Sequence, residues 1–407
     1  MLKKIVTLSL LVCTLQADMI SFYKDAVQTL EYEKSYTLYE QSNKTSQSAV
    51  TYSKYANFSL DAALTNTHAK LLPTSAGNFN TTDISLSDSI DIFGKNNSKI
   101  ESLRLDQKVT KAQLNEKKEQ LFITLVNLVS LYNRTLQELQ LHQNLFIEQE
   151  AIYKKLKLLG EHGDMTKLDV LRFKNTLTTL KTKIVSQKQV LVKIKKQLSL
   201  YAPNEVIPTL NLTTILFLKE DFIAHNPQAT LNSLNAQKKA TQAKGMNSSY
   251  FPTLDARVSY QKLDDPTGYR DNYSVGVSLH MPLNSGDLKE AEALKVSALS
   301  FKAQSVTYGI QRENEYIEHK ESFENASKQL IILEKALSDY EKSEATIKIA
   351  YLKQYVDFNT YLQVLKQVLD VKKKIIAMQA QKAKEAIIIN TIASGKLYGF
   401  SGIEPSD

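Results

Sequence analysis

The chain has 407 residues, with 51 Lys and Arg against 43 Asp and Glu, a formal net charge of +8, and a single cysteine. The charges are interspersed without a basic block, which argues against nucleic-acid binding and favours solvated helix faces. A single cysteine excludes a disulfide within the chain.

Residues 1–17 have the pattern of a secretory signal peptide, with two early lysines, a short apolar run over Ile5–Leu15 and the small Ala17 at the expected cleavage position. Cleavage there would leave 49 basic residues against 43 acids and no cysteine. Cys13 leaves lipidation open as an alternative. No later stretch approaches 18 consecutive apolar residues, so an exported chain is expected to be periplasmic, secreted or a β-barrel protein.

Two stretches are predicted to form very long helices. Gly is absent from 95–159 and 310–394, and Pro is absent from 74–202 and 283–404. Within them the apolar residues keep a spacing of three and four, which is typical of coiled-coil packing. A helix over Lys95–Leu159 would be roughly 100 Å long, far beyond the helices of ordinary globular domains.

Three segments, at 84–92, 254–261 and 273–281, alternate apolar and polar residues with the period of a β-strand. A weaker first strand is expected near Thr74–Asn80. One apolar and one polar face suit a barrel wall in a membrane, although a half-buried sheet in a soluble domain alternates in the same way. Four strands cannot close a barrel, so a membrane sheet would require several copies of the chain.

Two aspartates test the barrel interpretation. Asp91 has the phase of the polar face and is expected to face the lumen. Asp88 has the phase of the apolar face, where a charge is costly. It is therefore expected to lie near an interface, to pair with a neighbour or to follow a bulge.

The two halves of the chain resemble each other. Leu72-Pro73-Thr74 recurs as Phe251-Pro252-Thr253, and M-T-K-L-D-V-L at 165–171 recurs as N-T-Y-L-Q-V-L at 359–365. An internal repeat of this kind determines the fold. Each half is predicted as a helix, two strands, a long helix, a turn and a returning helix.

At this point the sequence resembles the TolC-like outer-membrane efflux and secretion channels. I-D-I-F-G-K at 90–95 is similar to the family's D-L-F-G-R type run between strand and helix, and M-P-L-N-S-G at 281–286 is similar to its P-L-F-D-G-G counterpart. Asn-Pro at 226–227, followed by a helix and Y-F-P-T-L at 250–254, resembles the approach to the family's third strand.

The resemblance implies a mainly helical homotrimer with a small membrane β part, in which a 12-stranded β-barrel continues into a 12-helix α-barrel. Such channels lie in the outer membrane, extend into the periplasm, and passively conduct what an inner-membrane pump delivers through a periplasmic adaptor. Gly94 and Gly286 would be the strand-to-helix junctions, and segments at 18–41 and 209–225, with the C-terminal tail, would form a belt around the tunnel. The first half lacks the Asn-Pro, and its equivalent helix is expected to begin near Ser48.

The resemblance also implies a division of the chain. The predicted parts are a signal peptide at 1–17, a belt and helix at 18–72, strands at 73–93, tunnel helices at 94–201, a linker and belt helix at 202–226, a helix at 227–251, strands at 252–285, tunnel helices at 286–394 and a tail at 395–407. The returning helices are expected at about 164–200 and 358–394.

The periplasmic entrance is expected at the helix turns. Family members carry acids there in a V-D-V-L-D pattern, whereas this chain reads L-Q-V-L-K at 362–366. The candidate entrance residues are Asp169, Arg172, Asp357, Gln363 and Lys366. A threefold ring of Lys366 would favour anions. Alternatively, Lys366 and Arg172 pair with neighbouring acids and only fasten the helices together.

The turns themselves are the candidate adaptor-docking sites: Gly160, Glu161, His162, Gly163, Asp164, Tyr355 and Val356. The glycines are expected to allow positive φ. His162 is interpreted as a solvated turn residue, with pH sensing as the alternative.

No cofactor, metal site or enzymatic activity is predicted. The six histidines are scattered, and no catalytic or phosphate-binding motif stands out. The alternative function is a soluble periplasmic coiled-coil structural or adaptor protein. Adaptors typically have one helical hairpin between compact β-domains, whereas this chain is predicted to have two hairpins and four strands.

Overall fold

The computed structural model describes residues 18–54, 57–72, 75–162, 166–248, 250–265, 268–281 and 285–398. The predicted signal peptide and the end of the predicted tail lie outside these residues. The elements in chain order are α1 (Met19–Thr29), α2 (Tyr32–Ser53), β1 (Phe58–Leu72), β2 (Ser75–Ile90), α3 (Asn97–His162), α4 (Lys167–Ser199), α5 (Lys219–Ala224), α6 (Pro227–Ser248), β3 (Thr253–Asp265), β4 (Gly268–His280), α7 (Ser285–Leu352) and α8 (Phe358–Ala393).

The prediction of a mainly helical chain with a small antiparallel sheet is confirmed. The order of helix, two strands, long helix and shorter helix occurs twice, in α2 to α4 and in α6 to α8. The long helices α3 and α7 have 66 and 68 residues. None of the described helices combines the length and apolarity that crossing a membrane requires.

The predicted position of the first strand is wrong. β1 runs over Phe58–Leu72, before Pro73, and not over Thr74–Asn80. The tripeptide at Pro73 matches the one at Pro252 in sequence, yet the first lies in the sequence between β1 and β2, whereas the second leads into β3, the first strand of the other hairpin. The predicted boundary between 18–72 and 73–93 is wrong for the same reason.

The helix before β1 also begins earlier than predicted. α2 begins at Tyr32, and not near Ser48, directly after Glu31, whose φ is +51°. It has 22 residues, the same number as α6 before β3. The start of this helix was not predicted, because the first half has no Asn-Pro and a positive φ at a glutamate gives no recognisable sequence signal.

The chain divides into two compact units. One consists of Met1–Glu33, Asn115–His225 and Gln311–Asp407, and the other of Lys34–Leu114 and Asn226–Ile310. In the first unit, α1 packs on the middle of α3, where the rings of Tyr23 and Phe122 meet edge to face at 5.5 Å. In the second, α2 packs on α3, where the Asn43 amide donates to the Leu103 carbonyl at 3.0 Å.

The second unit contains one antiparallel sheet in the order β1-β2-β3-β4. Leu60 lies opposite Leu86, Leu86 opposite Val258, and Val258 opposite Val275, so apolar residues of all four strands share one face. β1 and β4 are its two edges.

Candidate functional site

The sheet exposes its apolar face. Leu60 is 72% exposed, Leu64 84% and Val275 81%. A contiguous apolar surface of this kind normally marks contact with a partner or a membrane. Its strands have 13 to 16 residues, which exceeds the 9 to 11 or so that cross a bilayer at a tilt.

The opposite face is polar and internally hydrogen-bonded. The Arg257 guanidinium donates to the Ser85 hydroxyl at 2.9 Å, and the hydroxyls of Ser259 and Ser274 lie 2.6 Å apart. A groove of about 360 Å³ on this face is lined mainly by polar side chains, among them Asp61 and Asp83. The sheet therefore has one face suited to hydrocarbon and one suited to water.

Asp88 has the phase of the apolar face, and its carboxylate is satisfied there by a local hydrogen bond. Its Oδ1 accepts the backbone N–H of Asn57 at 2.8 Å, just before β1 begins at Phe58, the residue that lies opposite Asp88. Of the three expected outcomes for Asp88, pairing with a neighbour is the one observed. The carboxylate lies at the end of the β1–β2 ladder, near the chain's entry into the sheet.

The prediction that Asp91 faces the lumen is wrong. β2 ends at Ile90, and Asp91 is buried at the junction that follows. Its two carboxylate oxygens accept the N–H groups of Lys95 and Asn96, both at 2.7 Å. The residue terminates the strand and organises the start of α3, because it satisfies N–H groups just ahead of the helix.

Gly94 lies in the short connection between β2 and α3, and Gly286 lies in the first turn of α7. Gly94 has φ +76°, and a Cβ there would come within 2.5 Å of the Asn97 Nδ2 atom. The positive φ therefore favours glycine, and a Cβ would in addition displace the Asn97 side chain. Residues 282–284 of the M-P-L-N-S-G run lie outside the described residues.

The turn prediction is only partly right in the first half. Gly160, Glu161 and His162 belong to the last turn of α3, so they do not form a loop, and positive φ is not used at Gly160. Helix α3 continues through Gly160, at a modest cost in helix propensity. Gly163 and Asp164 lie outside the described residues.

In the second half, the turn contains the predicted residues. Tyr355 is 79% exposed, whereas Val356 packs against the aromatic core beside it. The Asp357 Oδ1 atom accepts the Thr360 N–H at 2.7 Å and caps α8. Hydrogen bonds from Thr360 hold the pKa of the Asp357 carboxyl below its usual value.

The entrance candidates separate into paired and unpaired groups. Arg172 lies 3.6 Å from the Asp169 carboxylate, which also accepts the Thr166 hydroxyl at 2.7 Å. Gln363 and Lys366 are exposed, and among the described residues neither makes a side-chain hydrogen bond or an ion pair. Asp169 and Arg172 both belong to α4, so this ion pair does not join two helices. Within the described residues, neither Arg172 nor Lys366 makes the ion pair between helices that the fastening alternative requires.

Sequence reasoning missed an aromatic cluster that joins four helices near these turns. The rings of Tyr351 and Tyr361 stack at 4.9 Å with an angle of 1°, and Phe173 meets Phe358 at 5.7 Å. The Gln149 amide donates to the Tyr361 hydroxyl at 2.9 Å. Burial raises the pKa of Tyr351 to about 12, with a further contribution from Asp169.

A buried ion pair was also missed, in the first unit. The Arg312 guanidinium contacts both carboxylate oxygens of Glu119, donates to the His225 carbonyl at 2.6 Å, and lies 4.3 Å above the Phe222 ring. Glu119 also accepts the Tyr398 hydroxyl. Burial opposes the charged guanidinium, but Glu119 raises the pKa of Arg312 above its ordinary value. The arrangement fastens the C-terminal segment to α3 and α7.

Within the described residues, no group of three or more His, Cys, Asp or Glu side chains could hold a metal ion. The features that remain are therefore the two-faced sheet and the charged, aromatic turns.

Solved structures share this fold along nearly their whole length. CusC, in a study of folding and transmembrane channel formation, matches with a TM-score of 0.74 and 12% identity over 92% of this chain and 91% of that chain. The outer-membrane channel OprN matches with a TM-score of 0.75 and 12% identity over 93% and 90%. The Campylobacter jejuni CmeC outer membrane channel matches with 0.72 and 12% identity over 92% and 85%.

At these identities the likeness establishes the fold, and the chain has the fold of these TolC-like channels. The family resemblance seen in the motifs is thereby confirmed at the level of the fold. No protein-family model matches the sequence, and no curated protein matches it either.

Proposed function

We propose that this chain is an outer-membrane channel of a tripartite export system, extending into the periplasm. The observation that carries the proposal is a sheet with one exposed apolar face, one polar face and two open edges. Open edges are not tolerated in hydrocarbon, because their backbone groups would have no partners. Pairing β4 of one copy with β1 of the next satisfies both edges and closes a barrel.

The barrel is proposed to be a trimer of 12 strands that continues into a tunnel of 12 helices. The repeated order of elements supports an internal duplication as the source of each subunit's two hairpins. Channels of solved structure with this fold support the outer-membrane location. Substrates are proposed to pass through the lumen passively, so the chain needs no catalytic site.

A periplasmic adaptor and an inner-membrane pump are the proposed partners. The adaptor is proposed to dock at the helix turns, where Tyr355 is exposed. Of the residues predicted for docking, Glu161 and His162 are exposed at the end of α3. The pump would select the substrate.

The proposed entrance lies at the same turns, where Lys366 is exposed and unpaired among the described residues. Three copies would form a positive ring that favours anions. The test is single-channel recording of purified protein in planar bilayers under a salt gradient. We expect discrete conductance steps in the unmodified protein, and we expect Lys366→Asp to shift the reversal potential towards cation selectivity.

The matched control is Lys154→Asp, which makes the same charge change at an exposed lysine of α3. It should leave the reversal potential unchanged. Discrete conductance with equal selectivity in both variants would remove the charge ring and keep the channel. An absence of conductance, together with a monomer released by osmotic shock, would instead favour the soluble periplasmic alternative.

A further inference from the structure

A chain of polar contacts between α3 and α4 determines which nitrogen of a buried histidine carries the proton. The Arg134 Nε–H donates to the Glu138 Oε1 atom at 2.9 Å, and the Gln187 amide donates to the Glu138 Oε2 atom at 3.4 Å. A carboxylate only accepts, so the Gln187 NH2 group points to Glu138 and its Oε1 atom points to His142. The His142 Nδ1 atom lies 2.8 Å from that oxygen and therefore carries the donated proton.

The other nitrogen of this ring has no partner. His142 is fully buried, and its Nε2 atom makes no hydrogen bond within the described residues. Burial lowers the pKa of His142, so the ring is neutral at neutral pH. In a neutral ring with the proton on Nδ1, the Nε2 atom is an acceptor. A buried acceptor without a donor is unfavourable, so a ligand that donates a hydrogen there would be stabilised.

A lysine of α8 leans towards the level of this histidine. The Gln149 amide of α3 donates to the Tyr361 hydroxyl of α8 at 2.9 Å. One heptad from that contact, His142 and Val368 lie at the same level, because the two helices run in opposite directions. Lys373 follows five residues later on α8. Helical side chains point back towards the N-terminus of their helix, so Lys373 points towards this level.

A lysine of α4 reaches the same level. Phe173 of α4 meets Phe358 of α8 at 5.7 Å. Both helices run antiparallel to α3, so they run in the same direction, and ten residues further on are Lys183 and Val368. The amines of Lys183 and Lys373 lie within hydrogen-bonding distance of each other. Two cationic side chains and the histidine therefore converge from three helices.

These two amines have no acid in direct contact. Among the described residues, neither lysine makes an ion pair. The acids that act on Lys373 from further away are Asp370 and Glu138, and the latter is already paired on α3. Burial and the contact with Lys183 lower the pKa of Lys373. Besides burial, both lysines lower the pKa of His142, so their charges lie close to the ring. An anion between the amines would remove their mutual repulsion.

The cluster selects a ligand by its combination of donors and acceptor. Two ammonium groups suit the ionised oxygens of an oxyanion. The neutral imidazole nitrogen requires a hydrogen donor on the same ligand. Hydrogenphosphate has ionised oxygens and one O–H group, whereas sulfate at neutral pH and chloride have no hydrogen to donate. The cluster therefore favours hydrogenphosphate over both.

The cluster is accessible from the side of α4 and α8. Lys183 is exposed, and Lys373 is half-buried. Exposed side chains change rotamer within nanoseconds, so the two lysines can turn outward and admit an ion to the ring.

We propose that hydrogenphosphate binds between α3, α4 and α8, where its ionised oxygens accept from the amines of Lys183 and Lys373 and its O–H donates to the Nε2 atom of His142. The bound ion would join three helices of one chain and stabilise their packing. The proposal does not rest on the channel function, because every group in the site belongs to the same chain.

The test is isothermal titration calorimetry of the full-length protein in mild detergent, at neutral pH and in a phosphate-free buffer. We expect saturable binding of phosphate at one site per chain, and binding of sulfate that is weaker by about tenfold or more, because its oxygen would face an unprotonated nitrogen. Lys183→Gln/Lys373→Gln should lose saturable phosphate binding. The matched control is Lys181→Gln/Lys374→Gln, at exposed neighbours on the same two helices, and it should keep that binding.

A second variant tests the role of the histidine. His142→Gln should bring the affinities for phosphate and sulfate close together, because an amide can donate to sulfate as well as accept from phosphate. Equal affinities for the two ions in the unmodified protein would overturn the assignment to hydrogenphosphate. Equal binding of glycerol phosphate would contradict the free ion as the ligand. No saturable phosphate binding, or equal binding in the two lysine double variants, would overturn the site.

Lysine acetylation keeps the proposal testable if a variant fails to fold. The unmodified protein is acetylated with and without phosphate, and modification is measured residue by residue by fragment-ion mass spectrometry. Phosphate should slow the acetylation of Lys183 and Lys373 several-fold and leave that of Lys181 and Lys374 unchanged. Acetylation that is insensitive to phosphate at all four lysines would overturn the proposal, whether or not the chain forms a channel.

Discussion

The two returning helices, α4 and α8, have similar lengths and different surroundings. α4 has 33 residues and buries one heptad seam, whereas α8 has 36 residues and is buried on several sides over its last ten. The difference shows how much of each helix is covered by the rest of the chain. The end of α8 has its partners within the same chain, including the short helix α5, whereas the residues of α4 outside its buried seam are mostly exposed.

The largest expected contrast comes from truncating one apolar residue on each helix. Ile389 of α8 is fully buried, and Ile389→Ala should destabilise the chain by about 2–5 kcal/mol. Val192 of α4 is 54% exposed, and Val192→Ala should change the stability of the unassociated chain by less than about 0.5 kcal/mol. Denaturant unfolding at a concentration where the chain is monomeric measures both. Equal losses would contradict the difference between the helices.

A smaller loss of stability is expected from a substitution in the aromatic cluster at the beginning of α8. Tyr361→Phe removes the hydroxyl that bonds the buried Gln149 amide, and should cost about 1–3 kcal/mol. Tyr355→Phe, at a 79% exposed position in the preceding turn, is the matched control and should be nearly neutral. The same unfolding experiment applies, and a neutral Tyr361→Phe would show that water replaces the lost partner.

A pH effect is expected where α3 meets both returning helices. Burial, aided by Lys373 of α8 and Lys183 of α4, lowers the pKa of His142. The folded state therefore resists protonation, and stability should fall as pH drops below the unfolded value of about 6.5. His142→Phe should reduce the loss between about pH 7 and pH 5. An unchanged pH slope would show that other groups dominate this window.

The caps of the two helices should give the smallest effects. The Thr166 hydroxyl accepts the Asp169 N–H at 3.2 Å, and Thr166→Ala should cost about 1 kcal/mol. Asp357→Ala should also destabilise, but only above the folded pKa of this carboxyl, which its cap hydrogen bonds hold below the usual value. Protonation removes the benefit as pH falls through that pKa. Thermal unfolding at neutral and acid pH distinguishes the two caps.

Much of the helical architecture was predictable because it repeats along the sequence. The returning helices were expected at about 164–200 and 358–394, and they run over Lys167–Ser199 and Phe358–Ala393. A buried heptad seam and the absence of Gly and Pro are local signals. They determine where a helix lies and which of its faces is covered.

The polar contacts that were not predicted join residues far apart in the chain. Gln149 and Tyr361 are 212 residues apart, and Glu119 and Arg312 are 193 apart. Periodicity does not specify which helices meet, so these polar partners leave no local signal. β1 was missed for a different reason, because a matched tripeptide moved the expected strand to the wrong side of Pro73.

The most direct test of the central claim is the location and mass of the native protein. Outer-membrane fractionation followed by native mass spectrometry should find the chain in the outer membrane as an assembly of three copies. That result would account for the open strand edges and the exposed apolar residues of α4 together. Recovery of a stable monomer from the soluble periplasmic fraction would contradict the account.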